Sequence, residues 1–211
     1  MKALLLNGGP HEKGCVHTAL TEIANVLREE GVATQIYWLG HKPISGCLGC
    51  FVCQTKGQCV IDDKVNEFLA IAKESDAFVF GAPVHYASAC GTITSFLDRV
   101  FFASQSFKGG HVFELKPGAA IVTARRAGTT AALDRLNKYF TILQMPIVSS
   151  RYWNMVHGHT PEEAKQDEEG LWTMRVLGRN MAYFLKCLEA GRKAGIAPPK
   201  EEEPKITNFI R

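Results

Sequence analysis

Four of the seven cysteines in this chain, Cys47, Cys50, Cys53 and Cys59, crowd into residues 46–63, GCLGCFVCQTKGQCVIDD, with the spacing C-x2-C-x2-C-x5-C. Three thiols two residues apart can converge on one compact polynuclear centre. A turn at Lys56 and Gly57 returns the fourth, which is how ferredoxin-like loops hold a cubane iron-sulfur cluster. Zinc is the weaker metal reading, because its knuckles pair two CxxC units across a longer stretch. A redox-active dithiol and a disulfide loop use the same residues, and spacing alone leaves both open.

Three further stretches carry polar chemistry. Residues 8–18, GGPHEKGCVHT, place glycines between an apolar run and an amphipathic one. A helix starting there offers free amides and the positive end of its dipole to an anion. A phosphate fits, with Gly9 in the turn and His11, His17 and Thr18 as the side chains best placed to add hydrogen bonds. The stretch has neither the Lys-Ser/Thr pair of nucleoside triphosphatases nor G-x-G-x-x-G, and a plain turn is the competing reading. Residues 82–88, APVHYAS, follow an apolar run. Pro83 stiffens the turn after Ala82, and beyond Val84 the flat side chains of His85 and Tyr86 suit a planar ring, or else plug the core. His85 and Tyr86 are also the candidate general acids. Residues 123–130, TARRAGTT, add Thr123, the cations Arg125 and Arg126, and Gly128 for close backbone approach, although surface arginines are commonly just solvated. His157 and His159 have no carboxylate at ligand spacing and read as loop residues.

The elements that must position these stretches alternate in type. Residues 2–6, 34–39, 76–81, 118–123 and 146–150 read as strands, the third almost wholly apolar and therefore central. Between them, helical apolar spacing marks Leu20, Ile23, Ala24 and Leu27, ended by Gly31, and then Val65, Phe68, Leu69 and Ile71, capped by Asp62 or Asp63. Ile93, Phe96, Leu97, Val100 and Phe101 form a third helical face, and Leu133, Leu136, Phe140 and Leu143 a fourth. A long last helix falls within 161–190, and residues 104–116 and 153–159 read as loops. Five strands alternating with helices predict a single α/β domain, a doubly wound five-stranded parallel sheet over residues 1–190, followed by an arm over 191–211. In such a sheet the three polar loops lie together at the carboxyl edge, the usual place for a bound ligand.

Composition narrows the partners. A net charge of +3, with no basic run interleaved with aromatics, gives no case for nucleic acid. No apolar stretch is long enough to span a bilayer and no signal-peptide pattern opens the chain, so the expected location is the cytoplasm. In that reducing compartment, clustered cysteines argue for metal or redox chemistry, while Cys90 and Cys187 read as packing residues.

The succession GGPHEKGCVHT, APVHYAS and TARRAGTT is similar to the FMN-binding arrangement of the NAD(P)H-dependent FMN reductases of the flavodoxin superfamily. The cysteine stretch followed by VIDD, with YWNMVHG, DEEG and the terminal TNFIR, resembles the branch known as iron-sulfur flavoproteins. The resemblance implies a flavodoxin-like fold, FMN, NAD(P)H as co-substrate, a homodimer or homotetramer, and a [4Fe-4S] cluster held by Cys47, Cys50, Cys53 and Cys59. Where the family often carries S-P-R and N-T, this chain has Gly9, Pro10 and His11, and Cys15 to Thr18. Backbone amides and Thr18 are therefore expected to carry more of the phosphate contact. The implied activity is an FMN-dependent NAD(P)H oxidoreductase passing electrons to a small-molecule or protein acceptor. A ferredoxin-linked electron-transfer protein and a cysteine-based redox sensor are the alternatives.

Overall fold

The computed structural model describes residues 1–107, 112–200, 202, 205–207 and 209. In chain order the elements are β1 (Lys2–Asn7), α1 (Cys15–Glu29), β2 (Ala33–Trp38), α2 (Val52–Lys56), α3 (Lys64–Lys73), β3 (Ala77–His85), β4 (Ser88–Ala89), α4 (Gly91–Ser104), β5 (Gly118–Ala124), α5 (Thr129–Ile142), β6 (Met155–His157), α6 (Pro161–Ala164) and α7 (Glu168–Lys193). Parallel strands run in the order β2-β1-β3-β5-β6, and β4 folds back antiparallel on β3. This is the flavodoxin-like doubly wound sheet, in one domain.

The strand sequences are apolar on both faces because both faces are covered. Along β1, Leu4 and Leu6 join Phe78, Phe80 and the buried faces of α3, α4 and α5, while Ala3 and Leu5 join Val79, Ile121 and the helices α1 and α7. The period-2 alternation of a strand thus divides one apolar run between two cores. Helix ends follow local chemistry: the Asp63 side chain accepts from the Val65 amide to cap α3. Gly31, at φ +83°, turns the chain out of α1 while Val32 N–H returns to Leu27 O at 2.8 Å.

Several elements differ from the sequence-based expectation. The outer parallel strand is Met155–His157, not residues 146–150. The edge of β5 is served in three steps. Ile147 makes a single bridge opposite Gly118, the Asn154 side chain donates to Ala120 O at 3.0 Å, and β6 then pairs with Val122, Thr123 and Ala124. The third strand runs on to His85, so that Tyr86 and Ala87, both at positive φ, form the two-residue turn of a hairpin into β4. Neither is Gly, Asn or Asp, which is why the sequence does not announce a hairpin. The cysteine stretch also contains a short helix, α2, where only a turn is expected.

Within the excursion expected over 104–116, residues 108–111 lie outside the described residues. Val112 and Phe113 are buried, with the Phe113 ring stacked on Phe101 at 4.8 Å, so that part belongs to the core. The last helix breaks after Ala164, restarts at Glu168 and runs to Lys193, past the expected boundary at 190. Of the arm, residues 201, 203, 204, 208, 210 and 211 lie outside the described residues, and Ile196, Ile206 and Phe209 are exposed.

Candidate functional site

The carboxyl ends of β1, β3, β5 and β6 converge on a cleft of about 230 Å³ lined by Gly9, Pro10, His11, Gly14, Cys15, Val16, Pro83, Val84, His85, Thr123, Ala124, Arg125, Gly158 and His159. A second cleft of about 280 Å³ shares Gly9, Pro10 and His85 with it and continues along residues 40–43 to Cys90, Gly91 and Thr92.

Side chains from the strand ends shape the first loop. The fully buried Asn7 accepts the Gly9 amide on Oδ1 at 2.9 Å and donates Nδ2 to Glu12 O at 3.0 Å, while Trp38 donates its indole N–H to Gly9 O at 2.9 Å. The buried Cys90 thiol donates to Gly8 O at 3.3 Å, tying the start of α4 to the same loop. At its end Gly14 caps α1 in extended conformation with no side-chain cap, leaving the first-turn amides open toward the cleft.

The structure brings Gly9, His11, Pro83, Val84, His85, Thr123 and Arg125 to one cleft, as the sequence suggests. It separates others. Because α1 begins at Cys15, His17 and Thr18 fall inside its first turns and face a different groove, with Lys13, Thr21 and Lys165. There Thr18 Oγ1 donates back to Gly14 O at 3.4 Å. Burial, and then the charge of Lys13, hold His17 below the usual histidine range. Ala82 is buried within β3, and Tyr86 projects fully exposed from the hairpin tip. Arg126 is exposed beside the cleft. Gly128 caps α5 at φ +94°, where a Cβ would stand 2.7 Å from Ala87 Cα, so it supports the hairpin. Gly158 and His159 enter the cleft because Gly158 N–H bonds Ala124 O at 3.0 Å, continuing the β6 edge.

Cys47, Cys50, Cys53 and Cys59 line one separate cavity of about 20 Å³, walled by Leu48, Phe51, Val60, Ile61, Phe102 and Ala103. Cys47 and Cys50 are exposed, Cys53 is buried, and all are free thiols. Burial pushes the Cys53 thiol up, with Cys59, Cys47 and Cys50 adding to it. Among the described residues no three His, Cys, Asp or Glu side chains are grouped so as to hold a metal ion.

Sequence reasoning missed Arg99 at this cavity. It is 2% exposed, and its guanidinium reaches Asp63 at 2.6 and 2.9 Å, Ile61 O at 3.0 Å and Cys59 Sγ at 3.2 and 3.4 Å. Burial works against its charge, and the hydrogen bonds it donates to Asp63 and Cys59 more than offset it. The available signal was a charged pair, Asp98 and Arg99, set among Phe96, Leu97, Val100 and Phe101 on the otherwise apolar helix α4.

A family model described as NADPH-dependent FMN reductase matches residues 1–160. Over 196 residues the chain is 29% identical to an iron-sulfur flavoprotein of Methanocaldococcus jannaschii, covering 90% of this chain and 100% of that one. Among solved structures, RosB with bound 8-demethyl-8-formylriboflavin-5'-phosphate superposes with a TM-score of 0.71 at 13% identity, covering 100% of this chain and 92% of that one. FerB of Paracoccus denitrificans, a flavoenzyme NAD(P)H:(acceptor) oxidoreductase, gives 0.63 at 14% identity, covering 88% and 97%. At these identities the two structures establish a shared fold.

Proposed function

The chain belongs to the NADPH-dependent FMN reductase family, and on that premise we propose that it is an NAD(P)H-dependent FMN oxidoreductase that delivers electrons to an acceptor by way of a [4Fe-4S] cluster on Cys47, Cys50, Cys53 and Cys59. Membership makes it an FMN-binding oxidoreductase of flavodoxin-like fold. When bound, FMN supplies hydride chemistry and a [4Fe-4S] cluster supplies single-electron transfer.

The residues of the cleft fit a flavin monophosphate. The open amides at the start of α1, with the loop held by Asn7 and Trp38, receive the phosphate dianion, to which a helix N-terminus is favourable. Pro83, Val84 and His85 form one wall for the ring, and Arg125 places a cation at the opposite loop, where it favours negative charge on a reduced ring. Cys90 and Thr92 extend the wall along the second cleft. The observation that carries the reading is the meeting of loops from β1, β3, β5 and β6 on one cleft, with a neighbouring cleft walled by the 40–43 stretch that leads into the cysteines.

An all-cysteine donor set, in a lining that is otherwise apolar apart from the Arg99 guanidinium and holds no carboxylate, suits iron and sulfide better than a hard cation. The cavity is small, and residues 43–51 on its exposed side are irregular, so loading requires that side to move outward. Anaerobic purification followed by a visible spectrum and iron and sulfide analysis tests both cofactors. Flavin absorbance with about four irons and four sulfides per chain is expected, and colourless protein overturns the proposal.

A ferredoxin-fed reading has one observation in its favour, the exposed Leu48, Phe51 and Val60 around the cysteines, which suit a protein partner. Anaerobic stopped-flow mixing with NADH, NADPH and reduced ferredoxin separates the two: bleaching by either nucleotide excludes a role fed by ferredoxin alone. The implied homodimer or homotetramer is checked by light scattering.

A further inference from the structure

Arg99 is the one charged residue among the largest fully buried side chains of the described structure. Placing a guanidinium in an apolar interior is strongly unfavourable unless its charge and its donors are met. Here they are met by one segment. Asp63 takes the fork end-on with two oxygens, Ile61 O and Cys59 Sγ share the second hydrogen of Nη2, Nε donates its hydrogen to Cys59 Sγ, and Ser45 O lies at 3.4 Å from Nη1. Ser45 precedes the first cysteine and Asp63 follows the last, so a single side chain on α4 fastens both ends of the segment. Asn66 adds to the grip on Cys59, accepting from its amide at 2.9 Å and donating to its carbonyl at 3.0 Å.

Fastening alone accounts for the carboxylate and the carbonyls. It does not account for two guanidinium nitrogens directed at a sulfur, since a neutral thiol is a weak acceptor. The contact gains strength when the sulfur carries negative charge, as a cluster ligand does. The asymmetry is specific to this cysteine: among the described residues the sulfurs of Cys47, Cys50 and Cys53 accept no side-chain hydrogen bond.

We propose that Arg99 positions Cys59 as a cluster ligand and raises the cluster's reduction potential through its charge and its hydrogen bonds to Cys59 Sγ. Reduction adds negative charge to the centre, and donors and cations at ligand sulfurs favour the reduced form. Asp63 opposes the effect in part, because its carboxylate neutralises the same guanidinium. The inference rests on the [4Fe-4S] reading above.

The test uses the full chain reconstituted anaerobically, as wild type, Arg99→Gln, Arg99→Lys and Asp63→Asn. For each, iron and sulfide per chain are measured, and the cluster and flavin potentials are followed in one dye-mediated titration by electron paramagnetic resonance and visible absorbance. The expected result is a lowered cluster potential in Arg99→Gln, a smaller fall in Arg99→Lys, which keeps the charge and loses the fork, and a rise in Asp63→Asn, with the flavin potential unmoved in all three. Opposite signs for Arg99→Gln and Asp63→Asn are not produced by a purely structural role. If Arg99→Gln fails to load, the Lys and Asn variants carry the comparison. Cluster potentials equal to wild type in the loaded variants overturn the role of Arg99. Wild-type protein that takes up no iron overturns the cluster reading, and is recognised before any variant is compared.

Discussion

Asn7 and Gly9 are joined by a side-chain-to-amide hydrogen bond of 2.9 Å at the end of β1, and the same Asn7 side chain holds Glu12 O from its other end. One buried amide therefore sets the path of the loop that rims the cleft. Asn7→Ala leaves the Gly9 amide unpaired in a buried setting, a loss of about 1–3 kcal/mol. The expected outcome is a lower urea midpoint and FMN affinity weakened by about tenfold or more, read by flavin fluorescence titration. Unchanged affinity would mean that the loop keeps its shape without Asn7.

Gly128 meets two requirements at once, a φ of +94° and a hairpin tip whose Ala87 Cα would lie 2.7 Å from any Cβ. Gly128→Ala is expected to cost about 1–3 kcal/mol, measured by thermal or chemical denaturation. Because the hairpin carries His85 into the cleft, FMN binding should weaken in the same variant.

The seven cysteines divide by position. Ser substitution at Cys53 or Cys59 is expected to remove most iron from the anaerobic protein, whereas Cys187→Ser should retain it, because Cys187 lies at an exposed position of α7 and not in the packing position expected from its apolar neighbours. Iron and sulfide analysis of the three variants checks this, and equal iron in all of them would remove the cysteine segment from the cofactor assignment.

His17 is held below its ordinary value of 6.5 by burial and by Lys13. The unfolded chain then binds the proton more readily, so stability rises with pH through this window. The contribution is fully present above about pH 6.5 and is lost as pH falls through the lower folded value. His17→Gln should flatten the change in urea midpoint between pH 7 and 5 relative to wild type. A parallel profile in the two proteins would contradict the assignment.

The parts of the fold that the sequence exposes are those whose physics is local or two-faced. β1, β3 and β5 are legible as apolar runs because both faces are covered, and the cap of α3 is legible because Asp63 serves an amide two residues away. The outer strand is not legible. Residues 146–150 have the better strand composition, but the order of pairing along β5 is settled by Asn154 reaching Ala120, a contact across 34 residues. The candidate cleft shows the same division. The loops themselves can be read, while the separation of Thr18 from His11 depends on α1 starting at Cys15, ahead of the apolar face that begins at Leu20. Arg99 is visible as an anomaly in α4, but its partners lie 36 to 54 residues earlier.

Pairing Ala3 with Ala77 closes a long stretch of chain, and the cysteine segment lies wholly within it. The entropy of closing a flexible loop grows only logarithmically, by about 0.6 kcal/mol for each doubling of length. Lodging these residues between β2 and α3 therefore adds only a fraction of that amount to the closure cost. Neither the register of β1 on β2 nor that of β1 on β3 uses a cysteine. The register of the sheet therefore does not depend on a cysteine ligand, and a cluster on the proposed segment would sit on strands whose pairing is set without it.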